Sequence, residues 1–141
     1  MRHSLLSTTL PAGVVSMIYL LCLGYRRDYL GHFAAGYGGT LCATAVLLAV
    51  VPVLAYRRAS SLVPLACTIV CIFAGAIAEG TVFRLAKFDE IDFYNQSLGA
   101  VLAGLAITRM PAANKPSDPL FMAVIIVGLV FLFIGNYFAL S

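Results

Sequence analysis

The sequence predicts an all-α protein, a polytopic transmembrane helical bundle of about five spans that forms one domain over residues 1–141. The first observation behind this prediction is composition. Of the residues, 62% are hydrophobic and 11% are charged, whereas soluble domains contain about 25% charged residues. A soluble domain of this length could not bury so much apolar surface, so most side chains are expected to face lipid or one another.

The second observation is that the apolar residues form long runs. Runs close to the ~20 residues that cross a bilayer lie at residues 8–25, 29–56, 61–83, 91–108 and 119–140. The fifth run begins at Pro119, and proline is common in the first turn of a helix. The fourth run is polar in its first third, with Asp92, Asn95 and Gln96. A re-entrant segment is therefore the alternative to a full crossing there.

Loop charges predict the orientation and exclude one class of partner. With five crossings, the N-terminal face carries five positive residues, and the opposite face carries four. These are Arg2, Arg57, Arg58, Arg109 and Lys115 on the first face, and Arg26, Arg27, Arg84 and Lys87 on the second. The positive-inside rule then favours a cytoplasmic N-terminus.

The scattered charges form no basic stripe, so membrane lipids rather than nucleic acid are the expected partner.

Small residues recur at helix-packing spacing in two of the predicted spans. The lines are Gly31, Ala35, Gly39 and Ala43 in the second span, and Ala100 and Gly104 in the fourth. Such lines let helix backbones approach closely in lipid. We expect Gly39 to tolerate a larger side chain less well than Gly128 of the fifth span.

Ionisable residues at membrane depth are costly, and each one raises a functional hypothesis. Asp28 and His32 open the second span, Glu79 lies near the end of the third, and Asp92 and Asn95 open the fourth. Three helices therefore bring polar side chains to one membrane face. The candidate ligand-binding residues are Asp28, His32, Glu79, Arg84, Asp92 and Asn95.

A purely structural role is the alternative interpretation of this polar cluster. His32 can pair with Asp28 one turn away, Glu79 can pair with Arg84, and Asp92 can cap the fourth span. One histidine with scattered acids is a weak ligand set for a metal. The four cysteines, Cys22, Cys42, Cys67 and Cys71, fall inside apolar runs and are expected to pack as small apolar residues. No catalytic residue, metal or other cofactor is predicted.

At these residues the chain resembles the VanZ-like family of small bacterial membrane proteins. That family has an Asp-x-x-x-His element at the start of one span, matched by Asp28 and His32. A glutamate follows in the next span, then an arginine, matched by Glu79 and Arg84. The family's Asp-x-x-Asn-x-x-x-Gly helix start is matched by the segment D-F-Y-N-Q-S-L-G at residues 92–99. The resemblance covers residues 28–104, and the fifth span lies outside it.

The resemblance implies a location in the bacterial cytoplasmic (inner) membrane and an effect on envelope properties. The family takes its name from a protein linked to low-level resistance to teicoplanin-type glycopeptide antibiotics. The first hypothesis is therefore a non-enzymatic membrane protein whose polar cluster binds a polar headgroup or an amphiphile. One alternative is a small accessory subunit packed against a larger membrane protein complex. Another is a membrane-embedded metal-dependent hydrolase.

Overall fold

The computed structural model describes residues 2–24, 26–50, 59–81, 88–108 and 119–139. They form the helices α1 (Arg2–Cys22), α2 (Arg27–Val50), α3 (Ala59–Thr81), α4 (Glu90–Thr108) and α5 (Pro119–Ala139). No strand occurs within these ranges, so the all-α prediction is confirmed. Each predicted span overlaps one helix, although α1 begins at Arg2 rather than near residue 8. Residues 25, 51–56, 82–83 and 140 of the predicted spans lie outside the described residues.

Three of the helices are long and apolar enough to cross a membrane. Their apolar windows are Arg27–Ala49 in α2, Leu62–Thr81 in α3 and Pro119–Phe138 in α5. The apolar stretch of α1, Thr9–Cys22, is shorter. The first turns of α4 are polar, as the sequence indicates. The protein is a helical membrane protein, and the count of five full crossings stays a prediction.

The central helix of the bundle is α2. Of its apolar window 56% is buried, against 28% for each of the windows in α3 and α5. It contacts the other four helices, most extensively α5 and α4. Its core side chains are aromatic: Phe33 lies between Tyr19 of α1 and Tyr37, and the ring of Tyr37 lies 4.9 Å from that of Phe131 on α5. This aromatic row ties α1 and α5 to α2.

Two glycines let α2 and α4 approach until their backbones touch. A Cβ atom at Gly36 would overlap the backbone carbonyl of Gln96, and a Cβ at Gly99 would overlap the carbonyl of Phe33. Backbone atoms cannot move aside as a side chain can, so only glycine fits at either position without a shift of a helix. The close approach of α2 and α4 places the start of α4 directly beside the second turn of α2.

The expectation that Gly39 is packed more tightly than Gly128 is wrong. A Cβ at Gly39 would meet only Leu132 Cδ2, at 3.9 Å, which is an ordinary van der Waals contact. A Cβ at Gly128 would lie 2.6 Å from Cys42 Sγ and 3.2 Å from the carbonyl oxygen of Gly38. An i,i+4 line marks a helix face, but it does not tell how close the neighbouring backbone comes. On α4, by contrast, Gly104 does lie at an interface, since a Cβ there would overlap the Thr68 hydroxyl.

Candidate functional site

The N-terminus of α4 is capped by Asp89, the residue before the helix. Asp89 Oδ1 accepts hydrogen bonds from the backbone N–H groups of Ile91 (2.8 Å) and Asp92 (3.3 Å). These are donors that the first turn of a helix leaves without an intrahelical partner. The proposal that Asp92 caps the fourth span is therefore corrected. Because Asp89 performs that role, the Asp92 carboxylate is available for contacts with other helices.

His32 of α2 lies between two carboxylates from two other helices. Its Nδ1 is 3.5 Å from Glu79 Oε1 of α3, and its Nε2 is 3.4 Å from Asp92 Oδ2 of α4. The three side chains are 12%, 7% and 15% exposed, respectively. One potential ligand atom from each residue lies within 4.8 Å of the others, and the described part of the chain holds no other such trio of His, Cys, Asp or Glu. We call this group the acidic cluster.

The position of each residue along its helix explains why these side chains meet. Glu79 lies in the last turn of α3, which ends at Thr81, and Asp92 lies in the first turn of α4, which begins at Glu90. His32 lies five residues into α2, about 7.5 Å along the helix axis from its start. Since α3 and α4 are consecutive helices, the end of one and the start of the other reach the same face. The acidic cluster therefore lies near one end of the bundle.

Asp28 is placed outside the acidic cluster, although it lies one turn before His32. Arg26 Nη2 lies 2.9 Å from Asp28 Oδ2, and the guanidinium also lies over the Tyr29 ring, 3.8 Å from its centroid. The hydrogen bond to Asp28 raises the pKa of Arg26, which lies outside the spans. Arg26 directly precedes α2 and is thus close to Asp28. Because Asp28 pairs with Arg26, the carboxylates that lie beside His32 are those of Glu79 on α3 and Asp92 on α4.

Asn95 lies one turn beyond Asp92 on the same face of α4 and is buried, with 9% of its surface exposed. Its Oδ1 accepts a hydrogen bond from the Tyr19 hydroxyl of α1. The sequence did not single out Tyr19, because a tyrosine near the end of an apolar span is more often an interfacial anchor. This bond connects a fourth helix to the site.

Two buried polar atoms at the site have no hydrogen-bond partner among the described residues. They are Asp92 Oδ1, an acceptor, and Asn95 Nδ2, a donor. A buried polar group without a partner costs roughly 1–3 kcal/mol. Both atoms belong to α4 and lie within one turn of each other. Unsatisfied atoms of this kind are what a bound ligand or ion would satisfy.

The acidic cluster brings two carboxyl groups to one imidazole ring. Among the described residues, no lysine or arginine forms an ion pair with either carboxyl group. Within the described ranges, the only ion pair that involves a lysine or arginine is Arg26–Asp28. Arg84, the remaining predicted site residue, lies outside the described residues, so its predicted pairing with Glu79 stays a prediction.

Comparison of the chain with protein-family models, curated proteins and solved structures gave no match. The resemblance to the VanZ-like family therefore depends only on the motifs around Asp28, Glu79 and Asp92.

Proposed function

We propose that this chain is a non-enzymatic membrane protein that binds the polar headgroup of an amphiphile through His32, Glu79 and Asp92. The observation that carries the proposal is that three helices each contribute one ionisable side chain to a group only 7–15% exposed. Placing such groups together at membrane depth is costly, so they are expected to have a function there. The unpartnered Asp92 Oδ1 and Asn95 Nδ2 beside them support a ligand rather than a self-satisfied network.

The surroundings of the acidic cluster suit an amphiphile. Large apolar side chains that lie two residues deeper than Glu79 in α3 and Asp92 in α4 are exposed, namely Ile77 (63%) and Tyr94 (64%). In a bilayer these side chains would contact acyl chains, with Asp92 and His32 at the level where headgroups begin. An amphiphile can therefore keep its chains in lipid and place its polar end at the cluster. Two carboxyl groups around one imidazole favour a cation as the contacting group, either an ammonium of the headgroup or a metal ion that the headgroup binds.

The VanZ-like resemblance extends the proposal to location and role. It supports a multi-pass protein of the bacterial cytoplasmic membrane whose ligand binding alters envelope properties, as in glycopeptide resistance. With a cytoplasmic N-terminus and α2 as the second crossing, the acidic cluster would lie at the outer face.

Binding of a short-chain phosphatidylethanolamine to the protein in mild detergent tests the proposal. This probe carries both an ammonium and a phosphate, and calorimetry measures its affinity. We expect Asp92→Asn to weaken binding by about tenfold, the equivalent of about 1.4 kcal/mol. Glu90→Gln is the matched control, because it removes an exposed acid in the same turn of α4 that lies outside the cluster. Equal affinity in all three proteins, or no binding by the wild type, would rule out this function.

A further inference from the structure

The separations within the acidic cluster are not those of hydrogen bonds. A hydrogen bond between a ring N–H and a carboxylate oxygen spans about 2.7–3.2 Å, whereas His32 lies 3.4 Å from Asp92 and 3.5 Å from Glu79. Two ligand atoms that each lie about 2.1 Å from a tetrahedral zinc ion are roughly 3.4 Å apart. The pair His32 Nε2 and Asp92 Oδ2 thus has the spacing of two neighbouring ligands of one ion.

We propose that His32 Nε2 and the Asp92 carboxylate bind a divalent metal ion of the zinc type, and that Glu79, 3.5 Å from His32 Nδ1, closes by a few tenths of an ångström when the ion binds and then accepts a hydrogen bond from Nδ1–H. The inference rests on the proposed function in that it assigns the cation of the same site. A metal-binding histidine usually donates its second ring N–H to a carboxylate, which sets its tautomer and orientation. Glu79, on the opposite side of the ring from Asp92, is placed for that role.

A further observation favours Asp92 over Glu79 as the direct ligand. Asp92 Oδ1 is buried and has no partner among the described residues, so it can turn to the ion or to a water on it. The mixed nitrogen and oxygen donors suit zinc better than calcium or magnesium, which prefer oxygen alone.

The proposed ion also defines the class of headgroup. Two protein ligands leave positions open on a tetrahedral ion, and an anionic phosphate oxygen of a lipid can fill one of them. The Asn95 amide, one turn away with its Nδ2 donor unpartnered, can donate to another oxygen of such a phosphate. The ligand class is therefore a phosphate-bearing lipid, bound through the metal ion.

Zinc titration of chelator-stripped protein in mild detergent, against a competing dye, tests the metal site. We expect one high-affinity site in the wild type, and a loss of at least about tenfold in affinity for Asp92→Asn and His32→Gln. Glu79→Gln is expected to lose about 10–100-fold, as second-layer partners of metal ligands do. Glu90→Gln, at an exposed acid in the same turn of α4 as Asp92, should bind zinc like the wild type. Equal affinity of wild type and Asp92→Asn would overturn the proposal.

X-ray absorption at the zinc edge of the loaded wild type needs no variant and is unaffected by folding defects. Nitrogen and oxygen ligands alone are expected. Sulfur ligands would overturn the proposal, since the chain contains the free cysteines Cys22, Cys42, Cys67 and Cys71.

A second arm separates this inference from the proposed function. Short-chain phosphatidylglycerol has a phosphate and no ammonium, so its binding should require zinc and disappear with chelator. If the protein has no zinc site and lipid binding persists in chelator, the metal-site proposal is wrong and the headgroup-binding proposal is supported. If zinc binds at His32 and Asp92 but neither lipid binds, the metal-site proposal is supported and the headgroup-binding proposal is wrong.

Discussion

At the scale of single residues, His32 is the point at which three helices are coupled. Its two ring nitrogens face Glu79 and Asp92, so the loss of any one of the three side chains changes the environment of the other two. Asp28 is close to His32 along the chain but is paired with Arg26. Asp28 is therefore near His32 in sequence but is not part of the acidic cluster. Variants of Asp28 and of Glu79 are expected to differ in their coupling to the cluster.

The coupling predicts a non-additive double-mutant cycle. His32→Ala and Glu79→Ala should each lower the free energy of unfolding by about 1–3 kcal/mol, because each leaves a buried polar partner unsatisfied. The double variant should lose less than the sum of the singles. Unfolding in mixed micelles of increasing denaturing detergent measures these values. The control cycle is Glu79→Ala with Asp28→Ala, which should add within about 0.5 kcal/mol. Additivity in both cycles would show that His32 and Glu79 do not act together.

At the scale of elements, α4 is the helix whose start decides the site. Its cap is Asp89, and its close contact with α2 depends on Gly36 and Gly99. If the start of α4 frayed or moved outward, Asp92 and Asn95 would leave the cluster together. Two predictions concern these features.

Asp89→Ala should destabilise the protein by about 0.5–2 kcal/mol, the usual range for loss of an N-cap side chain. The reason is that the N–H groups of Ile91 and Asp92 lose their acceptor. Thermal unfolding followed by circular dichroism is the measurement. Glu90→Ala is the control, since Glu90 is exposed in the same turn. A larger loss in the control than in Asp89→Ala would mean that the cap is elsewhere.

Gly99→Ala should destabilise the bundle by about 1–3 kcal/mol, the usual range for overpacking, because its Cβ would overlap the Phe33 carbonyl. Gly39→Ala is the matched variant: its Cβ has room, so the higher helix propensity of alanine should leave stability unchanged or raise it by up to about 1 kcal/mol. Detergent unfolding of both proteins compares them directly. Equal losses would contradict the assignment of the α2–α4 contact to Gly99.

At the scale of the whole molecule, the arrangement is one central helix, α2, surrounded by four others. The exposed surface is rich in large apolar side chains such as Leu21 (78%), Phe133 (75%) and Val70 (65%), as expected for contact with lipid. The polar side chains of the acidic cluster are turned inward instead. The bundle thus has a membrane protein's distribution of side chains, with apolar groups outside and costly polar groups inside.

Five crossings require the N- and C-termini to lie on opposite sides of the membrane. Reporter tags on the two termini should show a cytoplasmic N-terminus and an external C-terminus. Tags that report the same side would remove the five-span topology and favour a re-entrant α4, whose first turns are polar.

The sequence alone determined the fold class and the approximate helices, because composition and runs of about 20 apolar residues depend only on the solvent that the chain requires. It also brought His32, Glu79 and Asp92 to one end of the bundle, since loop order and helix length determine which ends share a face. Only the tertiary structure decided which of the polar residues touch. Asp28 pairs with Arg26, Asp89 replaces Asp92 as the cap, and Tyr19 reaches Asn95. These contacts depend on how each helix is rotated about its axis and on how closely it approaches its neighbours. Packing at positions such as Gly36 and Gly99 determines the rotation and the separation of the helices, and the spacing of residues in the sequence does not reveal either quantity.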